Sequence, residues 1–161
     1  MTLTLVTPPV GPAASLPRLK QHLRIDTSID DVQLEALEAT TVALLDGPTG
    51  ILGRAILPQT WRQTFTGAGP YRLAMPDVSD VEVTVDGEVV LGTVTSDCRG
   101  PIVELASYSD AATIEFACGL SESHRLIAEL AVCFYVEHAF DRVDLNPFYH
   151  DLVEKLRWVK I

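Results

Sequence analysis

The chain has 161 residues, of which 47% are hydrophobic and 21% are charged, and its formal net charge is −10. This length predicts one domain, large enough to bury a core without a metal or disulfides. Acidic residues outnumber basic ones, and the sequence has no cluster of basic residues. This excludes tight or sequence-specific DNA binding through phosphates. No apolar run is long enough for a membrane span, and the first basic residue is Arg18, too late for a signal peptide. We therefore expect synthesis in the cytoplasm and no membrane partner.

The first 14 residues predict an extended arm. They include Pro8, Pro9 and Pro12 and show no helical period. Because proline cannot donate a ladder hydrogen bond, the segment is unsuited to a central strand. Its apolar side chains are candidates to dock on the same chain or on a neighbour, and they are Leu3, Leu5 and Val6.

Two helices are predicted next. Ser15 is a suitable N-cap for a short helix with the apolar stripe Leu16, Leu19 and Leu23. A longer helix begins at Ser28 or Asp30. Gly47 and Pro48 end that helix.

The middle of the chain changes to the period of strands. Alternating runs cover 60–65, 81–85 and 113–116, with further candidates at 71–75, 88–91 and 102–105. Asp86-Gly87 lies between two of these runs, which is a strong signal for a hairpin turn. We predict an antiparallel β-hairpin module between about residues 56 and 118.

Two further helices complete the predicted fold. Gly119 and Ser121 precede a long helix whose apolar residues cover much of its circumference, which predicts the most buried element. Asn146 as N-cap and Pro147 at the first position begin the last helix. The fold class is therefore α+β: an α-helical body of about four helices (15–55 and 119–161) with an inserted antiparallel β-hairpin module (56–118). All of it forms a single domain, 1–161, with the arm at 1–14.

No residue pattern predicts catalysis, a cofactor or a metal. The three cysteines have no CxxC spacing, and the four histidines form no His-x-x-x-His pair. Asp30 and Asp31 stand where a helix begins, so capping explains them better than a carboxylate pair for acid–base work. Glu137, His138 and Asp141 fit the polar edge of a helix better than a metal site. We expect a protein that is not an enzyme.

The last helix is the best candidate for contacts with a partner. A large aromatic residue near the end of a chain is poorly used unless it docks, and Trp158 has arginine and leucine neighbours of the kind found in interfaces. The equally open alternative is that Trp158 folds back on its own core. The candidate residues are Leu152, Leu156, Arg157, Trp158 and Val159.

The order of these parts resembles the head–tail connector (adaptor, or head-completion) proteins of long-tailed phages and phage-like gene transfer agents. The matching residues of the first third are Pro8, Pro9, Lys20, Leu23, Arg24, Asp26, Asp30, Asp31, Thr49, Gly50, Arg54, Gln59, Thr60 and Trp61. Later, the passage 114–119 is similar to the family's strand-to-helix passage, and Tyr135-Val-Glu-His stands where the family's helix usually ends in Tyr-Glu-x-Arg, with Arg142 following later. The sequence departs from the family by inserting residues 51–53 and by lacking a proline before the long helix.

The resemblance implies a mechanical role. Copies would form a ring, a dodecamer, beneath the portal protein, extend the DNA conduit and present a surface to the downstream stopper or tail protein. DNA would pass without specific binding, past acidic residues on the conduit or on the outer surface. Plain solubility is the other explanation of the charge. The chain would be in the host cytoplasm during assembly and then at the head–tail junction of the particle.

Other functions stay open on the sequence. The β module could hold a small ligand or a peptide at its edge, which would make the chain a binding module. It could also be a neighbouring stopper or tail-completion ring protein. The sequence does not separate a phage from a gene transfer agent.

Overall fold

The structure is a computed structural model that describes residues 1–107 and 109–158. The chain divides into two compact units. The helical unit comprises Gly11–Ile56 and Leu120–Arg157, and the β unit comprises Met1–Val10 and Leu57–Gly119 together with Trp158. Four helices and antiparallel sheets confirm the α+β class.

The helical unit contains all four helices of the described residues. They are α1 (Leu16–Leu23), α2 (Asp31–Leu45), α3 (Glu122–Asp141) and α4 (Pro147–Leu156). The predicted start of α4 is confirmed, because the side chain of Asn146 accepts a hydrogen bond of 2.9 Å from the backbone N–H of Phe148. α1 ends at Arg24, which adopts a left-handed conformation with φ of 58°.

The burial of α3 differs from the predicted one at Leu126. Its fully buried residues include Ala128, Val132 and Val136, spaced by four, whereas Leu126 is 63% exposed. The fully buried side chains of α3 are small or medium-sized, α3 packs on α2 and α4, and the larger Leu126 is left outside. Only Glu122, Ser123, Leu126 and Asp141 of α3 are exposed, so the helix is covered around much of its circumference as expected, and Leu126 is the exception among the predicted residues.

The β unit contains two antiparallel sheets among the described residues. The first has the strand order β1-β2-β8-β4-β5 and the second β3-β7-β6. The strands are β1 (Thr2–Thr7), β2 (Gln59–Thr66), β3 (Tyr71–Arg72), β4 (Val78–Val85), β5 (Glu88–Val90), β6 (Gly92–Asp97), β7 (Gly100–Leu105) and β8 (Ala111–Cys118).

The predicted turn between β4 and β5 is confirmed. Asp86 and Gly87 adopt φ values of 51° and 85°, both left-handed, as a two-residue hairpin turn requires. The turn sets the register in which Thr84 faces Val89 and Val83 faces Val90.

The β unit is larger than the predicted hairpin module, because two strands were not recognised as such. β1 lies in the predicted arm, whose prolines all follow Thr7, and it is an edge strand paired with β2 alone. β6 has a single large apolar residue, Val94, and every one of its residues is exposed. A strand without a buried face gives no alternating pattern to detect.

The core of the β unit contains one fully buried amide. Gln63 donates from Nε2 to the carbonyl of Arg72 at 3.2 Å, and its Oε1 accepts from the N–H of Ala74 at 2.9 Å. Around it are the buried apolar side chains of Leu73, Met75, Val103, Ile114 and Phe116. The two hydrogen bonds satisfy the amide and fix the segment after β3 against β2.

Candidate interaction surfaces

No cluster that could hold a metal is found in the part of the chain that the structure describes. The two carboxylates considered for acid–base work, Asp30 and Asp31, both have structural roles. Asp30 precedes α2, and Asp31 forms an ion pair of 2.8 Å with Lys20. No helix of the described residues has the length and apolar character that crossing a membrane demands.

The three apolar side chains of the N-terminal segment lie on β1. Leu3 is partly buried, and Leu5 and Val6 are each 40% exposed. The register with β2 shifts between Leu5 and Thr7, so consecutive residues are both accessible. β1 has one unpaired edge and no charged residue or proline that would block another chain from approaching it.

The candidate residues of the last helix fall into three groups. Leu152 and Leu156 are only 7% and 0% exposed, so they hold α4 in the helical unit. Arg157 is exposed and forms an ion pair of 3.3 Å with Glu154. Val159 lies outside the described residues. A partner could reach Arg157 directly. Binding of a partner by these candidate residues stays a prediction.

Trp158 lies against the turn between β6 and β7. A Cβ atom placed on Gly100 would be 2.7 Å from Cζ2 of the Trp158 indole, so only glycine leaves room for the ring there. The ring is partly buried. The indole therefore has a docking position on its own chain, and a role in partner binding would have to use its remaining exposed edge.

The turn that receives Trp158 is fixed by a pair of charges. Arg72 donates to both carboxylate oxygens of Asp97, at 2.6 and 2.8 Å, and its Nη1 also donates to the carbonyl of Gly100 at 3.3 Å. The Arg72 hydrogen bond, helped by the backbone N–H of Arg99, lowers the pKa of Asp97 to about 2. β3 and the β6–β7 turn are thereby joined next to the indole.

An apolar groove runs along α3 and α4, and the sequence reasoning missed it. We call it the helical groove, and its lining is Leu126, Ile127, Leu130, Phe148, Asp151, Leu152 and Lys155. It has a volume of about 410 Å³, and Leu126 and Phe148 are 63% and 50% exposed. A signal was available, because Leu126 and Leu130 form a second stripe offset by two residues from the buried one.

An apolar projection at the end of β5 was also missed. We call it the hairpin knob, and it consists of Val89 and Leu91, which are 67% and 93% exposed. An alternating pattern shows that the two side chains share a face, but it does not show that the face is uncovered.

A chain with a similar fold occurs in the neck of an empty gene transfer agent (GTA) particle, whose structure was computed with C6 symmetry. The two chains match with a TM-score of 0.74 over 100% of this chain and 97% of that chain, at 20% sequence identity. The sequence matches no protein-family model and no curated protein. The likeness establishes a shared fold along the whole chain, and it agrees with the resemblance to head–tail connectors.

Proposed function

We propose that this chain is a structural head–tail connector, or adaptor, of a phage or a phage-like gene transfer agent. The observation that carries the proposal is the match of the complete chain to a chain of a GTA particle neck. An independent support is the order of sequence motifs, which resembles the connector family.

In this role, copies of the chain form a ring beneath the portal protein. The ring extends the DNA conduit and receives the stopper or tail protein on its other side. A dodecamer, as the resemblance implies, is compatible with the C6 symmetry of the similar neck, since such a ring can be divided into six equal pairs. The chain would assemble in the cytoplasm and remain in the particle at the head–tail junction.

The surfaces of the chain suit a component that is covered by others. Exposed apolar side chains on β1, on the hairpin knob and in the helical groove are typical of surfaces that bind protein. We assign the portal contact to the free edge of β1, with Leu5 and Val6, and we keep the exposed Arg157 as a separate candidate for contact with the portal or a neighbouring copy.

The net charge of −10 supports weak interaction with DNA. Acidic residues on the conduit would repel phosphates and let DNA slide, whereas a basic lining would hold it. Tight binding of duplex DNA at physiological salt would contradict this part of the proposal.

One feature of the β unit would suit the alternative function, a ligand-binding module. A hollow of about 300 Å³ in the β unit is lined by residues that include Tyr71, Glu104, Ser107 and Ser109. The Tyr71 hydroxyl already donates to the carbonyl of Ser109 at 3.0 Å, so the most versatile polar group of the hollow is used within the chain. We therefore prefer the connector.

Co-sedimentation with the portal protein encoded beside this chain tests the proposal. We expect the two proteins to sediment together as one large complex, and the chain alone to remain monomeric because its subunits repel one another. A competent portal that sediments without this chain would reject the connector role and favour the binding module.

A further inference from the structure

We propose that the hairpin knob of one copy inserts into the helical groove of the next copy, which gives a head-to-tail contact between neighbours in the ring. This inference rests on the proposed function, because it names the surfaces through which copies of the chain meet. Neither surface was recognised from the sequence.

The side chains of the hairpin knob are not packed against their own sheet. β5 is an edge strand, and Val89 faces Thr84 of β4 on the side of the sheet opposite to the buried Val83. Leu91 is 93% exposed at the end of the hairpin, which keeps about as much apolar surface in water as a leucine can. Such an exposed apolar side chain, between β5 and β6, is suited to fill a pocket elsewhere.

The helical groove has the complementary character. Leu126, Ile127, Leu130 and Phe148 give it apolar walls, and Phe148 stands edge-to-face on Phe134 with the ring centroids 6.3 Å apart. That contact holds one wall of the groove in place, so the groove is formed before any partner arrives.

The two surfaces offer one pair of opposite charges, Glu82 beside the knob and Lys155 in the groove, whose lining also includes the acidic Asp151. Glu82 is exposed on the same face as Val89, because it lies two residues before Thr84, and it stands directly beside Glu115 of β8. Glu115 is paired with Arg62, and among the described residues no cation pairs with Glu82. Lys155 of the groove is exposed and likewise has no carboxylate partner in the described residues. A docked knob would therefore bring Glu82 toward an unpaired cation.

A second copy of this chain is the occupant that these features favour. A chain with net charge −10 can associate with itself only where apolar area and matched charges offset the repulsion. The knob and the groove are different surfaces of one chain, so their contact is heterologous, and a heterologous contact closes into a ring when its rotation permits.

Cross-linking of two single-cysteine variants tests the contact. Leu91→Cys and Leu126→Cys are each made in a Cys98→Ser background, since Cys98 is the exposed cysteine while Cys118 and Cys133 are buried. The two carry different tags and are mixed with a short bismaleimide at millimolar protein and about 1 M salt, where the Debye length of about 3 Å screens the repulsion. We expect heterodimers in at least tenfold excess over homodimers.

The matched control replaces the knob cysteine with Val10→Cys, which is 90% exposed outside the knob. A yield from Val10→Cys and Leu126→Cys equal to that of the test pair would overturn the proposal. Homodimers of Leu91→Cys in excess would indicate a symmetric contact and overturn it as well. With both cysteines in one chain, we expect a ladder of dimers, trimers and larger products, and its absence contradicts a repeating contact.

A charge exchange tests the same pairing by rescue. At about 0.1 M salt, where the Debye length of about 10 Å leaves a close ion pair effective, Lys155→Glu should lower the yield of the knob–groove cross-link several-fold. Adding Glu82→Lys should restore it, whereas adding Glu88→Lys, on the opposite face of the hairpin, should not. Equal effects of Glu82→Lys and Glu88→Lys would overturn the assignment of Glu82.

The outcome is separable from that of the proposed function. If the chain binds the portal as a ring but no knob–groove cross-link forms within it, the connector role stands and this contact is wrong. If the cysteine at Leu91 or Leu126 reacts with the portal instead of a neighbouring copy, the portal is the occupant and the inference is equally overturned.

Discussion

The buried carboxylate of Glu38 shows how a single residue fixes the position of a chain segment. Glu38 lies on α2 and is 6% exposed, and its Oε1 accepts hydrogen bonds from the N–H groups of Ala13 and Ala14, at 2.7 and 3.2 Å. Two backbone donors satisfy a charge that would otherwise be costly to bury. This contact fixes the segment that leads into α1.

Loss of the Glu38 carboxylate should therefore destabilise the helical unit. We expect Glu38→Ala to lower the free energy of unfolding by about 2–3 kcal/mol, because one buried and one partly buried donor lose a charged acceptor. Glu38→Gln keeps one acceptor oxygen and should cost less. Urea denaturation measures both, with Glu35→Ala, exposed on the same helix, as the control. Equal losses of unfolding free energy for Glu38→Ala and Glu35→Ala would contradict a stabilising role of the hydrogen bonds from Ala13 and Ala14 to Glu38.

Gly100 is the second residue on which a contact depends. Gly100→Ala would place a Cβ atom 2.7 Å from Trp158, so we expect the indole to be displaced toward water. In a Trp61→Phe background the fluorescence of Trp158 reports this as a red shift. Gly67→Ala has a similar positive φ of 96° but nothing within 4 Å of its Cβ, so it reproduces the backbone strain alone. A red shift of the same size in both variants would show that the indole does not rest on Gly100.

At the scale of elements, the β6–β7 turn depends on the pair Arg72 and Asp97. The pKa of Asp97 is about 2 in the folded chain, below its ordinary value of 3.8, so its ionised form favours folding. This contribution is complete above about pH 4 and is lost as the pH falls toward 2.

Asp97→Asn should remove that part of the pH dependence. We expect the melting temperature of the wild type to fall toward that of the variant between pH 4 and pH 2, with the largest difference above pH 4. Arg72→Gln, which removes the partner, should weaken the same dependence. A difference between wild type and Asp97→Asn that stays constant over this range would exclude the pair as its cause.

The elements also show what can be predicted from the sequence. Asn146 and Pro147 begin α4 and Asp86-Gly87 forms the hairpin turn, because caps and left-handed turns are local features with specific residue types. β6 could not be predicted, since its stability comes from pairing with β7 rather than from a buried face of its own. The exposure of Leu126 on α3 could not be predicted either, since it depends on which neighbours the helix meets.

The candidate site was less predictable than the fold. Leu152 and Leu156 are buried within the single chain, and their binding of a partner stays a prediction, because a stripe of leucines is the same pattern whether it packs inside or binds outside. Leu126 and Leu91 show the reverse, since they are exposed in positions that an apolar pattern would place in a core. Exposure is a property of the folded unit and is not encoded in the local pattern.

At the scale of the whole molecule, the net charge and the exposed apolar surfaces have opposite effects on assembly. In the proposed function, the charge of −10 would keep free copies apart, and the apolar surfaces would supply contact once copies are held side by side. The portal would be the template that holds them there.

Electron microscopy of this chain bound to its portal tests the central claim most directly. We predict a ring of copies coaxial with the portal, with a central opening wide enough for duplex DNA. Single copies bound to the side of the portal, or a ring that does not share its axis, would contradict the account.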